Sequence, residues 1–94
     1  MILRTFSIFD IKSETFSPPF FMSTAGEAIR AFKDLVNDSS TSIGRHPEDY
    51  RLMCLGTFDN HKGLLDSESQ DSFGFGSDYK DIGPSQIPLG LVKP

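Results

Sequence analysis

Laid out as a strand, residues Tyr50 to Phe58 are apolar on both faces. Leu52, Cys54 and Phe58 fall on one face, Met53 and Leu55 on the other. A strand with no polar face belongs in the middle of a sheet that is covered twice. Pro47 fixes φ just ahead of it. Gly56 inside it points to a bulge or to close approach by another backbone. The segment Asp59-Asn60-His61-Lys62-Gly63 has hairpin-loop chemistry, with Gly63 free to take a positive φ. Leu64-Leu65 then begins a short third strand.

A first strand precedes this pair. Ile2 to Phe9 alternates Ile2, Arg4, Phe6 and Ile8 with Leu3, Thr5, Ser7 and Phe9, and is rich in β-branched and aromatic residues. Asp10 to Thr15 reads as a polar turn. Phe16-Ser17-Pro18-Pro19-Phe20-Phe21 reads as an extended apolar loop, because two prolines remove two ladder donors.

The loop delivers the chain to a well-specified helix. Thr24 is placed as N-cap and Glu27 as the N3 residue that reaches back. Met22, ahead of the cap, is placed to fix the entry angle. Ala28, Ile29, Phe32, Leu35 and Val36 form one stripe at helical spacing, and Glu27, Arg30, Lys33, Asp34 and Asn37 form the other face. Asn37-Asp38-Ser39-Ser40 ends the helix, since these side chains compete for backbone hydrogen bonds. Residues 39–45 read as a loop.

The expected fold class is therefore α+β: a small three-stranded β-α-β-β sheet with one helix packed on one face. The expected division is a folded body over residues 1–66 and an acidic Gly/Ser/Pro-rich tail over 67–94, disordered or extended. Such a body is small for independent stability, and one helix covers only one sheet face, so a homodimer is expected.

Charge follows the same division. Residues 1–65 hold seven Lys and Arg against eight Asp and Glu, whereas residues 66–94 hold two against five. A near-neutral body lacks the compositional footprint of a duplex-DNA binder. The single cysteine excludes an internal disulfide. The first apolar run is broken by Arg4, Thr5 and Ser7, which fits neither a secretory h-region nor a membrane span.

No constellation has the spacing of an active site. Cys54 stands mid-strand between apolar neighbours, and its spacing to His46 and Asp59 is not that of a zinc site. Asp59 and His61 read as a hairpin tip. Neither an enzyme nor a cofactor or metal is expected. What remains is a set of cations on strands and adjoining loops, Arg4, Lys12, Arg45, Arg51 and Lys62, with Phe20, Phe21 and Tyr50 as aromatic surfaces. Cations for phosphates and aromatic faces for bases are what a single-strand binder needs. The other reading of the same residues is scattered surface charge and a lid over the core made by Phe16, Phe20 and Phe21 of the Pro-Pro loop.

Three motifs resemble the small nonstructural protein of gokushoviruses, tailless single-stranded-DNA phages of the microvirus group. They are Phe9-Asp10-Ile11-Lys12, then Gly26-Glu27-Ala28-Ile29-Arg30-Ala31-Phe32, and then His46-Pro47-Glu48-Asp49-Tyr50 leading into Leu55-Gly56-Thr57-Phe58-Asp59. The resemblance covers about two thirds of the chain and stops near Leu65. It implies a non-enzymatic DNA-binding or DNA-synthesis protein in the host cytoplasm that acts in viral DNA replication and binds single-stranded DNA. The alternative is an adaptor that binds the replication initiator or a host replication protein, the acidic tail recruiting it, without contacting DNA.

Overall fold

The structure is a computed structural model and describes residues 1–81 of the chain. Strand β1 (Ile2–Asp10) is followed by two short strands, β2 (Thr15–Phe16) and β3 (Phe20–Met22). Helix α1 (Ala25–Val36), a one-turn helix α2 (Ser42–Arg45) and a 3-10 turn at Pro47–Asp49 come next. Strands β4 (Tyr50–Asp59) and β5 (Leu64–Phe75) form a hairpin, and a 3-10 turn at Gly76–Asp78 closes it. The strands make one five-stranded antiparallel sheet in the order β2-β1-β4-β5, with β3 also paired to β1.

This corrects the expected three-stranded β-α-β-β sheet with a tail; only the α+β class is retained. Three segments account for the difference. The Phe16–Phe21 run is not one loop but contributes to two edge strands, separated by Ser17, Pro18 and Pro19. Prolines are tolerated at a sheet edge, where a missing N–H faces outward. Beside them Ser17 fills the gap: its N–H donates to the Ile8 carbonyl at 2.9 Å, and its hydroxyl accepts from Ile8 N–H at 2.9 Å. Second, the strand expected to stop after Leu65 runs on to Phe75, across the expected 66/67 boundary. Leu64 to Ser72 are all exposed, so no apolar alternation marks them. They are held by backbone pairing, because a central β4 needs a partner for its donors and acceptors on both edges. Third, residues 42–45 form a helical turn, capped by the Thr41 hydroxyl, which accepts from Gly44 N–H at 2.9 Å. The part of the expected tail over residues 82–94, including Ile87-Pro88-Leu89, lies outside the described residues.

Helix α1 starts as its sequence dictates. The Thr24 hydroxyl caps it, accepting from the Glu27 N–H at 3.2 Å; the Glu27 carboxylate reaches back to that hydroxyl, also at 3.2 Å, and not to the Thr24 N–H as a full capping box would. Ala28, Phe32 and Val36, spaced at four, are buried against Phe6, Ile8, Leu52 and Cys54 of the sheet. Register explains why these strand residues share a face: Phe6 lies opposite Cys54 and Ile8 opposite Leu52. Phe73 of β5 joins them, 6.0 Å from the Phe6 ring, and Tyr79 meets Phe32 edge-on at 5.9 Å. The last described residues are tied to the end of α1. The Lys80 ammonium donates to the Val36 carbonyl at 3.1 Å, and the Asn37 amide donates to the Tyr79 carbonyl at 3.1 Å.

Gly56 is a close approach, as its place in β4 suggests. A Cβ there would lie 2.0 Å from the Asp66 carbonyl oxygen of β5. The register between β1 and β4 slips at the same point, with Leu55 the extra residue of a bulge.

Two outcomes test this core. Phe32→Ala should cost about 3–5 kcal/mol in a denaturant titration, a large part of the stability of so small a domain. Ending the chain after Asp66 should abolish the cooperative melting of the full chain, because it removes most of β5, Phe73 and Tyr79. Unchanged melting in the truncated chain would mean that the 1–66 body suffices.

Candidate nucleic-acid interface

Alternation along the strands places a second set of side chains on the face away from α1. From β1 come Leu3, Thr5, Ser7 and Phe9. Their register partners extend the face. Phe16 lies opposite Phe9, Phe21 opposite Thr5, Arg51 opposite Phe9, Met53 opposite Ser7 and Phe58 opposite Leu3. On β5, Leu65 lies opposite Phe58 and Phe75 opposite Arg51. The helices and 3-10 turns gather on the other side, with Leu35, Ile43 and Tyr79 in the Phe6–Phe32 cluster. Among the described residues, the helices pack on the first face and not on this one, although its central residues Thr5, Ser7 and Met53 are buried.

The face has two aromatic groups. At one end Phe9 and Phe16 meet at 4.7 Å, and the Arg51 guanidinium lies between the Phe9 ring at 5.7 Å and the Phe75 ring at 5.4 Å. At the other end Phe21 and Phe58 meet at 5.2 Å. Phe16 is 41% exposed and Phe21 39%, high values for large apolar side chains. Two polar atoms on this face are buried without a partner among the described residues, the Arg51 Nε and the Thr5 Oγ1. The two rings hold the guanidinium in place by cation–π attraction.

The other expected site residues are distributed differently. Arg4 faces the helix side, its guanidinium 5.6 Å from the Phe6 ring and 5.5 Å from Phe73, with an N–H donated to the Cys54 sulfur at 3.7 Å. Phe20 also faces that side, stacked on Phe6 at 5.9 Å. Tyr50 packs against the same core, its hydroxyl bonded to that of Ser42 at 3.1 Å. Arg45 ends α2 and donates to the Ser39 carbonyl at 3.4 Å. Lys12 and Lys62 are exposed in turns at opposite ends of the sheet, about 27 Å apart along β1 at the ordinary strand rise. Of the eight residues, only Arg51 and Phe21 share the open face. Phe9, Phe16, Phe58 and Phe75 are not among them. Period two along β1 marks Phe9 as facing away from Phe6, but along β4 it groups Phe58 with Leu52 and Cys54; the Leu55 bulge reverses the alternation and turns Phe58 to the open face, opposite Leu3.

Turn chemistry positions the flanking lysines. The Asp10 carboxylate accepts from the Lys12 N–H at 2.9 Å, and that bond holds its pKa below the ordinary aspartate value. A lowered folded-state pKa stabilises the fold above the unfolded aspartate range and is lost as pH falls through the folded value. At the β4–β5 turn the Asp59 carboxylate accepts from the N–H groups of His61 at 3.0 Å and Lys62 at 3.2 Å. Ligand atoms of His46, Glu48 and Asp49 lie within 4.8 Å of one another around the 3-10 turn, where His46 and Glu48 are exposed. Cys54 is buried and donates to the Gly56 carbonyl at 3.8 Å.

The family model of the Phage ORF5 protein matches residues 3–73. The chain belongs to that family. The match runs from β1 to Phe73 in β5, so it takes in the helix core and, on the open face, every aromatic residue named above except Phe75. No curated protein and no solved structure matches the chain. Among the described residues, no helix is long and apolar enough to cross a membrane.

The local order of the aromatic end is testable. Phe9→Ala removes one of the two rings beside Arg51. The ring protons of Phe75 should then shift in the NMR spectrum, while those of Phe32 should not.

Proposed function

We propose that this Phage ORF5 family member is a gokushovirus nonstructural protein. It acts in viral DNA replication in the host cytoplasm by binding single-stranded DNA across its open sheet face, without enzymatic activity. The observation that carries this reading is Arg51 held between Phe9 and Phe75, on a face with two further exposed phenylalanines. Flat aromatic surfaces accept bases of any sequence, and the guanidinium supplies a fixed donor set for a phosphate. Single strands are favoured over duplex because the helix α1 offers no basic face to a major groove. The single-strand binding, the replication role and the gokushovirus assignment rest on the motif resemblance together with this face.

A salt-titrated binding assay on single- and double-stranded oligonucleotides tests it. If Arg51 holds one phosphate, Arg51→Ala should reduce the slope of log affinity against log salt by about 0.7. Phe21→Ala should cost about 1–3 kcal/mol if one base stacks there. Absence of binding at low salt would reject the reading.

The adaptor reading has one observation of its own. Strand β5 is an exposed edge that carries Asp66, Glu68 and Asp71 and no Lys or Arg, a surface that repels DNA and suits a basic protein partner. A homodimer belongs to the proposal as well. Pairing two β5 edges would set these carboxylates against one another, so sheet-to-sheet contact through the open face is favoured. Dimer and DNA would then compete. Sedimentation at micromolar concentration should show a dimer that dissociates when oligothymidine is added; a monomer throughout would remove the dimer.

A further inference from the structure

Between the two aromatic groups the open face is dented. Where Leu55 bulges from β4, a depression of about 240 Å³ is lined by Thr5, Leu55, Gly56, Leu65, Asp66 and Ser67. Gly56 makes it possible, because a side chain there would run into β5. Thr5 is only 8% exposed, and its hydroxyl has no partner among the described residues. A buried hydroxyl without a partner costs stability, and a valine of the same shape would avoid that cost. Thr5 points to the same face as Phe21, its direct partner on β3, and as Ser67, the partner of Gly56 on β5.

We propose that this depression is a base pocket: it takes one unstacked nucleobase of the bound single strand, and the Thr5 hydroxyl bonds the edge of that base. The inference rests on the single-strand reading above. The size suits one base, since pockets for drug-sized ligands begin at roughly 300 Å³. Leu55 and Leu65 supply apolar contact for the ring. Leu65, which lines the depression, is 66% exposed, so its side chain can shift as a base enters. The Phe21–Phe58 pair beside the depression stacks the neighbouring base, so stacking and edge recognition act on successive nucleotides. A hydroxyl both donates and accepts, so the pocket admits more than one base.

The test is Thr5→Val in the full chain, with a twelve-nucleotide oligothymidine and a twelve-nucleotide abasic strand as probes. The variant should melt at the same temperature as the parent or higher. Its affinity for oligothymidine should fall about fivefold to tenfold, the range of one hydrogen bond, and its affinity for the abasic strand should match the parent's. Unchanged affinity for oligothymidine overturns the pocket; if Arg51→Ala still weakens binding, the open-face reading stands without it. If the parent binds neither probe, both fail. A second measurement does not depend on the variant: with oligothymidine bound to the parent, the Leu55 and Leu65 methyl groups should show nuclear Overhauser contacts to a base. Contacts confined to Phe9, Phe16 and Phe75 would also overturn the pocket.

Discussion

The pairing of β1 with β4 is the constraint on which the rest depends. These are the inner strands of the sheet, and each presents apolar side chains to both faces. Phe6, Ile8, Leu52 and Cys54 meet the stripe of α1 and form the core. The alternate residues then have no freedom: Phe9 and Met53 must face the other way, and the Leu55 bulge turns Phe58 to join them. Burying one face under a single helix therefore leaves an aromatic face open. The functional surface proposed for this protein follows from how its core is built.

The edges of the sheet complete this arrangement. β2 and β3 add Phe16 and Phe21 to the open face and Phe20 to the core. β5 adds Phe75 to the open face and Phe73 to the core. Residues 76–81 then fasten β5 to the end of α1 through Tyr79, Lys80 and Asn37. The two ends of the described chain are thus joined through one core.

Elements with an apolar period are legible in the sequence. β1, α1 with its Thr24 cap, β4 and the turn at Asp59–Gly63 lie where their residues place them, and Gly56 sits at a bulge with β5 close by. Elements held by backbone pairing are not legible there. β5 is polar and exposed along most of its length, so nothing in its side chains separates it from a tail. β2 and β3 are too short for a period, and their prolines argue for a loop. The site residues divide for a related reason. Charge and aromaticity can be read from composition, but the face on which Arg4 or Arg51 stands depends on register. Arg4 pairs with aromatic rings on the core side, whereas Arg51 does so on the open side.

What distinguishes the proposed account is that one face, not scattered surface cations, meets the nucleic acid. Backbone amide shifts of the isotope-labelled full chain, followed during titration with oligothymidine, test this most directly. The largest changes should fall at Phe9, Phe16, Phe21, Arg51 and Phe58, with α1 unaffected. Changes centred on α1 and Arg45, or none at all at low salt, would contradict it.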